Sequence, residues 1–192
     1  MKILKQIIVT LSIIWTVLSV GFLAVVYFST PQSCNVNESE EAAAPEASDP
    51  LPEFEVELAG GESTLTNESL EGKYTMIYFW GTHCAVCMRE MPYLHETYDA
   101  LEDRDFEIVA ISLDDSEETV REFRDQEYPM PWKHAVIGDE EEAIREMTQK
   151  FGFSGLPNKV IVSPEGKVLD SFSGFTGEEL HEKVEGYLAS AE

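Results

Sequence analysis

The stretch Phe79-Trp80-Gly81-Thr82-His83-Cys84-Ala85-Val86-Cys87-Met88-Arg89-Glu90-Met91-Pro92 decides the reading. It continues a run that begins at Tyr74 (Tyr-Thr-Met-Ile-Tyr-Phe-Trp), apolar and aromatic without a charge. Such a run suits a central strand buried on both faces. A helix is expected from about Cys84 to Leu101, so the C-x-x-C pair stands where a strand ends and a helix begins. Helix N-termini carry unpaired N–H groups and a positive partial charge. A thiolate placed there is stabilised, which lowers the pKa of the first cysteine. The two intervening residues close a tight turn, so either a dithiol or a disulfide can form. Cys84 is therefore the expected exposed nucleophile, and Cys87, one helical turn further in, the more buried resolving thiol.

Working outward, the pattern from Phe54 onward is α/β. Phe54–Leu58 alternates with period two and Gly60-Gly61 makes a turn. Residues 106–113 form a second buried strand. Asp115, Ser116, Glu117 and Glu118 supply N-terminal chemistry for a helix to about Gln126, and Asp139 opens another to about Phe151. Lys159–Ser163 and Lys167–Ser173 are strands joined by Ser163-Pro164-Glu165-Gly166, a turn sequence that makes the pair a hairpin. Thr176 with Glu179 reads as a capping box for a last helix to about Ala189. The order β-(β)-β-α-β-α-α-β-β-α predicts a mixed central sheet flanked by helices, parallel at its βαβ start and antiparallel at its closing hairpin.

The N-terminal part has a different character. Gln6–Phe28 holds 23 residues without a charge. A helix of that length reaches about 34 Å and spans a ~30 Å hydrocarbon core. A cleaved signal peptide has a shorter apolar run and a small-x-small site. Ser29-Thr30-Pro31-Gln32-Ser33 offers none, which favours an uncleaved anchor. Lys2 and Lys5 precede the span and the next basic residue is Lys73, so the N-terminus (1–5) is expected inside and the rest outside. Residues 29–52 read as a mobile acidic linker, leaving 53–192 as the folded domain. Beyond residue 34 the chain carries 11 basic and 37 acidic residues, a formal net charge of −26. That surface repels nucleic acid and anionic headgroups. Three cysteines, Cys34, Cys84 and Cys87, leave one over, so a disulfide-stapled scaffold is excluded.

With these residues in view, the chain resembles the thioredoxin superfamily, and within it the TlpA/ResA-like extracytoplasmic thiol–disulfide oxidoreductases. The family pattern F-W-[AG]-T-x-C-x-x-C-x-x-E-x-P is met by Phe79, Trp80, Gly81, Thr82, Cys84, Cys87, Glu90 and Pro92. The resemblance extends over roughly 52–190, through Gly152–Pro157 and Pro164–Lys167. It implies a thioredoxin-like fold, a cis Leu156–Pro157 bond facing the cysteines, a Leu156 backbone able to pair with a substrate strand, and a Pro92 that kinks the active-site helix. It implies reduction of protein disulfides through Cys84 and Cys87, no dissociable cofactor, and a membrane electron donor of the CcdA or DsbD type. Cytochrome c maturation is the habitual setting of such relatives.

The departures from the pattern are informative. His83 stands where the family has Trp; either its imidazolium lowers the Cys84 pKa further, or it is an exposed replacement of little effect. Tyr78 occupies the strand position where some relatives carry a carboxylate or amide. Glu90 is then the nearest matching carboxylate, able to pass a proton to or from Cys87, although a solvated helix-surface role is the expectation. Asn158-Lys159 follows the loop proline in place of Thr-Thr or Thr-Phe. Rival readings are a metal-binding chaperone of related fold using Cys84, Cys87 and His83, with His134 and His181 only as surface candidates, and a disulfide-forming oxidase, which differs in potential and partners. A peroxiredoxin is disfavoured by the paired cysteines. Cys34 fits a lipobox poorly and reads as incidental.

Overall fold

The computed structural model describes residues 49–61, 63–101, 103–114, 116–138 and 141–189. The expected cytoplasmic N-terminus, membrane anchor, Cys34 and the linker up to residue 48 lie outside the described residues. No helix among the described residues is long and apolar enough to cross a membrane.

In chain order the elements are β1 (Glu55–Glu57), β2 (Thr64–Thr66), a 3-10 turn (Asn67–Leu70), β3 (Tyr74–Trp80), α1 (Ala85–Leu101), β4 (Phe106–Ser112), α2 (Glu117–Gln126), β5 (Lys133–Val136), α3 (Glu141–Lys150), β6 (Asn158–Val162), β7 (Val168–Ser173) and α4 (Glu179–Ala189). Five strands form one mixed sheet in the order β5-β4-β3-β6-β7. β5, β4 and β3 run parallel, while β6 and β7 are antiparallel to their neighbours. β1 and β2 make a separate hairpin, tied to β5 by the Ala59 N–H on the His134 carbonyl at 2.8 Å.

β3 is the central strand because its side chains are apolar on both faces. Met76, Tyr78 and Trp80 enter one core with Met91, Leu94 and Leu101 of α1 and Leu180, Val184 and Leu188 of α4. Ile77 and Phe79 enter the other with Leu65, Leu70, Met147 and Phe151. Each such side chain contributes ~1.5–3 kcal/mol by leaving water. The inward stripe of α1 is Cys87, Glu90, Met91, Leu94, Thr97 and Leu101, a three-and-four spacing that presents one helical face to the sheet.

In its elements and their connections the structure departs from the sequence reading in three places. β5 was not foreseen: it has four residues, two of them Lys133 and His134, so it offers neither the length nor the apolar run that marks a buried strand. Asp49–Pro52, expected in the linker, is bonded to the domain. The Leu51 N–H donates to the Gly166 carbonyl at 3.0 Å, the Val168 N–H to the Asp49 carbonyl at 2.9 Å, and Leu51 is buried. The capping box at Thr176 does not start α4, which begins at Glu179. The Thr176 N–H is given to Glu90 instead, at 2.7 Å.

Candidate active site

Parallel β3 and β4 end side by side, with Trp80 opposite Ser112, so the loops that follow them share one edge of the sheet. Trp80 is fully buried, and its carbonyl accepts the Leu113 N–H at 3.0 Å. After Gly81 the chain turns into α1, the Cys84 N–H donating to the Gly81 carbonyl at 3.1 Å. Cys84 and Cys87 are joined in a disulfide with their Cα atoms 5.2 Å apart. Cys87 is buried and Cys84 is half-buried. The Cys87 N–H points at Cys84 Sγ at 3.2 Å, so a free N–H of the first helical turn addresses the sulfur that would carry negative charge. In a chain this acidic, the first turn of α1 contains no Asp or Glu; nothing there offsets the positive end of the helix.

His83 is not free. Its Nδ1 lies 3.1 Å from Asp114 Oδ1, with the imidazole 71% exposed and the carboxylate 2% exposed. Asp114 also accepts the Thr82 N–H at 2.8 Å, the Thr82 hydroxyl at 2.7 Å and the Ser112 hydroxyl at 2.6 Å. It stands two residues past the end of β4 and fixes the turn in front of Cys84. Sequence reasoning missed Asp114. The available signal was the parallel pairing itself, which brings the residues beyond Ser112 beside those beyond Trp80. Gly81 is the packing point of this wall: a Cβ there would lie 3.3 Å from His83 Cε1, 3.6 Å from Leu156 Cδ1 and 3.7 Å from Asp114 Oδ1.

Glu90 is not on a solvated surface, as expected from sequence, but fully buried one turn beyond Cys87, and its partner is Lys159, also 0% exposed. Lys159 Nζ is 2.7 Å from both carboxylate oxygens and 2.7 Å from the Gly174 carbonyl. β6 places Lys159 across from Tyr78 of β3, beneath α1, where the only acid on the inward stripe is Glu90. Burial pushes the Lys159 pKa down while Glu90 opposes the shift. Burial, and then the Glu90 charge, push the Tyr78 phenol far up, so it stays neutral. Its hydroxyl makes no hydrogen bond of ordinary geometry.

The Leu156–Pro157 bond is cis, as the family resemblance implies, and Leu156 lies beside Gly81 in the turn before the cysteines. Pro157 is buried and Leu156 half-buried. The Pro157 carbonyl accepts the Gly174 N–H at 2.9 Å, so the β7–α4 loop rests on the cis-proline loop and, through Lys159 and Glu90, on α1. That loop carries Phe175, 49% exposed, against the Tyr93 ring at 5.8 Å and the Arg89 guanidinium at 5.5 Å. Pro92 lies within α1 and has no N–H for the Met88 carbonyl. His134, expected on the surface, is buried between Trp80 and Trp132. Burial, helped by the Arg124 charge, pushes its pKa down to about 3. Among the described residues no cluster of His, Cys, Asp and Glu is arranged to hold a metal ion.

Comparisons with known proteins agree with this geometry. A family model described as thioredoxin-like matches residues 72–168. The thiol-disulfide oxidoreductase ResA of Bacillus thuringiensis (strain Al Hakam) is 31% identical over 138 residues, covering 71% of this chain and 73% of that protein. ResA of Halalkalibacterium halodurans is 27% identical over 169 residues, covering 88% and 91%. Among solved structures, the thioredoxin domain of a thiol-disulfide oxidoreductase from Bacteroides vulgatus superposes with a TM-score of 0.66 at 25% identity, covering 75% of this chain and 99% of that one. A thiol:disulfide interchange protein from Bacteroides sp. gives 0.66 at 25% identity, covering 77% and 93%. The fold, the paired cysteines at a helix head and these likenesses together place the chain in the thioredoxin-like family, among the ResA-type thiol–disulfide oxidoreductases.

Proposed function

We propose that this protein reduces disulfides of other proteins on the outer side of a membrane, held there by residues 6–28. The observation that carries the reading is the Cys84–Cys87 pair at the head of α1, with an N–H aimed at Cys84 Sγ; Leu156, before the cis-proline, lies beside Gly81 in the turn ahead of the pair. In the dithiol form, the Cys84 thiolate attacks a substrate disulfide and a Cys84–substrate bond replaces it. Cys87 then attacks Cys84 Sγ, the second substrate sulfur leaves, and two electrons have passed to the substrate. The half-exposed Cys84 meets the substrate, and the buried Cys87 meets only Cys84. The exchange needs no dissociable cofactor. A membrane donor of the CcdA or DsbD type returns the electrons, and cytochrome c maturation is the setting that the relatives suggest. The uncharged segment 6–28 preceded by Lys2 and Lys5 supports the anchor and its orientation.

The test is substitution of the resolving cysteine. C87S should accumulate mixed disulfides between Cys84 and its substrates, released by dithiothreitol and absent from a C84S/C87S double variant. Cells in which C87S carries no adduct would overturn the reading.

A further inference from the structure

We propose that His83, oriented by Asp114, is the acid that protonates the thiolate released when Cys84 attacks a substrate disulfide. The inference rests on the exchange reading above and names a catalytic group for it. An ionised carboxylate only accepts hydrogen bonds. With Asp114 Oδ1 at 3.1 Å, Nδ1 of His83 therefore carries a proton and donates it. That fixes the tautomer and leaves Nε2 as the nitrogen that gains and loses a proton. Asp114 is suited to the task. It is almost wholly buried, held by Thr82 and Ser112, and among the described residues the imidazole is the one titratable cation within ion-pair distance of it. Asp114 thus holds the imidazole by Nδ1 at the turn that leads into Cys84.

The placement fits the role. His83 directly precedes Cys84. Its ring shares one wall with Gly81 and with Leu156, the residue before the cis-proline. Asp114, from the end of β4, is the carboxylate in contact with it, and the apolar Leu156 lies across Gly81 from it. The imidazole is 71% exposed, open to the sulfur of an incoming substrate. This use of His83 also differs from that of the other acid near the cysteines, because both Glu90 oxygens are taken by Lys159.

The step balances. Cys84 S⁻ attacks one sulfur of the substrate disulfide; the Cys84–sulfur bond forms, the substrate S–S bond breaks, and its electron pair departs on the second sulfur. The imidazolium Nε2–H gives that sulfur its proton, leaving neutral His83, which is reprotonated from solvent. When the Cys87 thiolate attacks Cys84 Sγ, the remaining substrate sulfur leaves and takes up one proton for the one that Cys87 has released. The substrate ends as a dithiol and the protein as a disulfide.

A general acid matters most for a poor leaving group, because an acidic thiol departs readily as thiolate. The reduced full-length chain in detergent is reacted at pH 7 with two probes, 5,5′-dithiobis(2-nitrobenzoate), whose aryl thiol is acidic, and hydroxyethyl disulfide, whose alkyl thiol is not. In H83Q the ratio of the aryl to the alkyl rate constant should widen about tenfold over wild type, less than the ~10²–10⁴ of a fully engaged general acid because water competes at the exposed imidazole. D114N should widen it in the same direction, and D114N/H83Q no further than H83Q alone, because the two act as one unit. A ratio in H83Q within twofold of wild type overturns the proposal, whatever happens to the individual rates. Ratios that multiply in the double variant overturn the role of Asp114. A wild-type chain that reduces neither probe sinks the exchange reading and this inference with it, an outcome distinct from either of those.

Discussion

Cys84 and His134 show at the scale of single residues how far position decides chemistry. Cys84 has a helix head, an N–H on its sulfur and no acid in the first turn. His134 has two indole neighbours and no hydrogen bond of ordinary geometry to either ring nitrogen. Burial makes it a neutral imidazole with a folded pKa of about 3, against ~6.5 in an unfolded chain. The unfolded state therefore binds the proton first. Stability from this residue is intact above about pH 6.5 and is lost as the pH falls toward 3. Between pH 7 and pH 4 the loss is on the order of 3 kcal/mol. H134F, which keeps an aromatic ring and removes the titration, should hold its unfolding free energy over that interval better than wild type by about this amount. Urea unfolding at the two pH values measures it, and parallel losses in both proteins would refute the assignment. The cysteine pair was legible in the sequence because spacing and context repeat along one short stretch. His134 was not: Trp132 stands two residues before it, but Trp80 reaches it only through the pairing of β3, β4 and β5, which one short segment does not reveal.

At the scale of elements, the Glu90–Lys159 pair joins α1, β6 and the β7–α4 loop. Four contacts of 2.7 Å meet there: Nζ to each Glu90 oxygen, Nζ to the Gly174 carbonyl, and the Thr176 N–H to Glu90. Removing one member of a buried pair leaves the other charge without compensation, at a cost of ~3–5 kcal/mol. K159M should lose about that much by chemical denaturation, and K159M/E90Q should lose less than K159M alone, since the uncompensated charge is then gone. A cost below ~1 kcal/mol for K159M would mean that water reaches Glu90. Part of this junction was readable. Cys87, Met91, Leu94 and Leu101 define the inward stripe of α1, and Glu90 falls on it by spacing alone. A lysine inside a buried strand must find an acid or a carbonyl. What spacing does not give is the pairing across 69 residues, which depends on β6 lying next to β3 in register with Tyr78. The Thr176 box failed for the same reason: a tertiary partner took the N–H that local chemistry assigned to Glu179.

At the scale of the whole molecule a redox site sits in a strongly acidic chain. Both faces of β3 are packed, so the order of the central strands and α1 followed from apolar runs and turn residues. β5, which is short and lies at the sheet edge beyond β4, and the attachment of Asp49–Pro52 followed from pairings that leave little mark on composition. The formal charge of −26 beyond residue 34 shapes encounters with substrates without altering the fold. What it leaves untouched is the two-electron couple at the head of α1, on which disulfide exchange depends. That couple is measured by equilibrating the chain in dithiothreitol buffers of graded ratio and following Cys84 and Cys87 by alkylation. One two-electron transition is expected near the ~−270 mV of thioredoxin, absent from C84S and from C87S. A midpoint near −120 mV, the range of a strong oxidant, or no reversible transition at all, would contradict it.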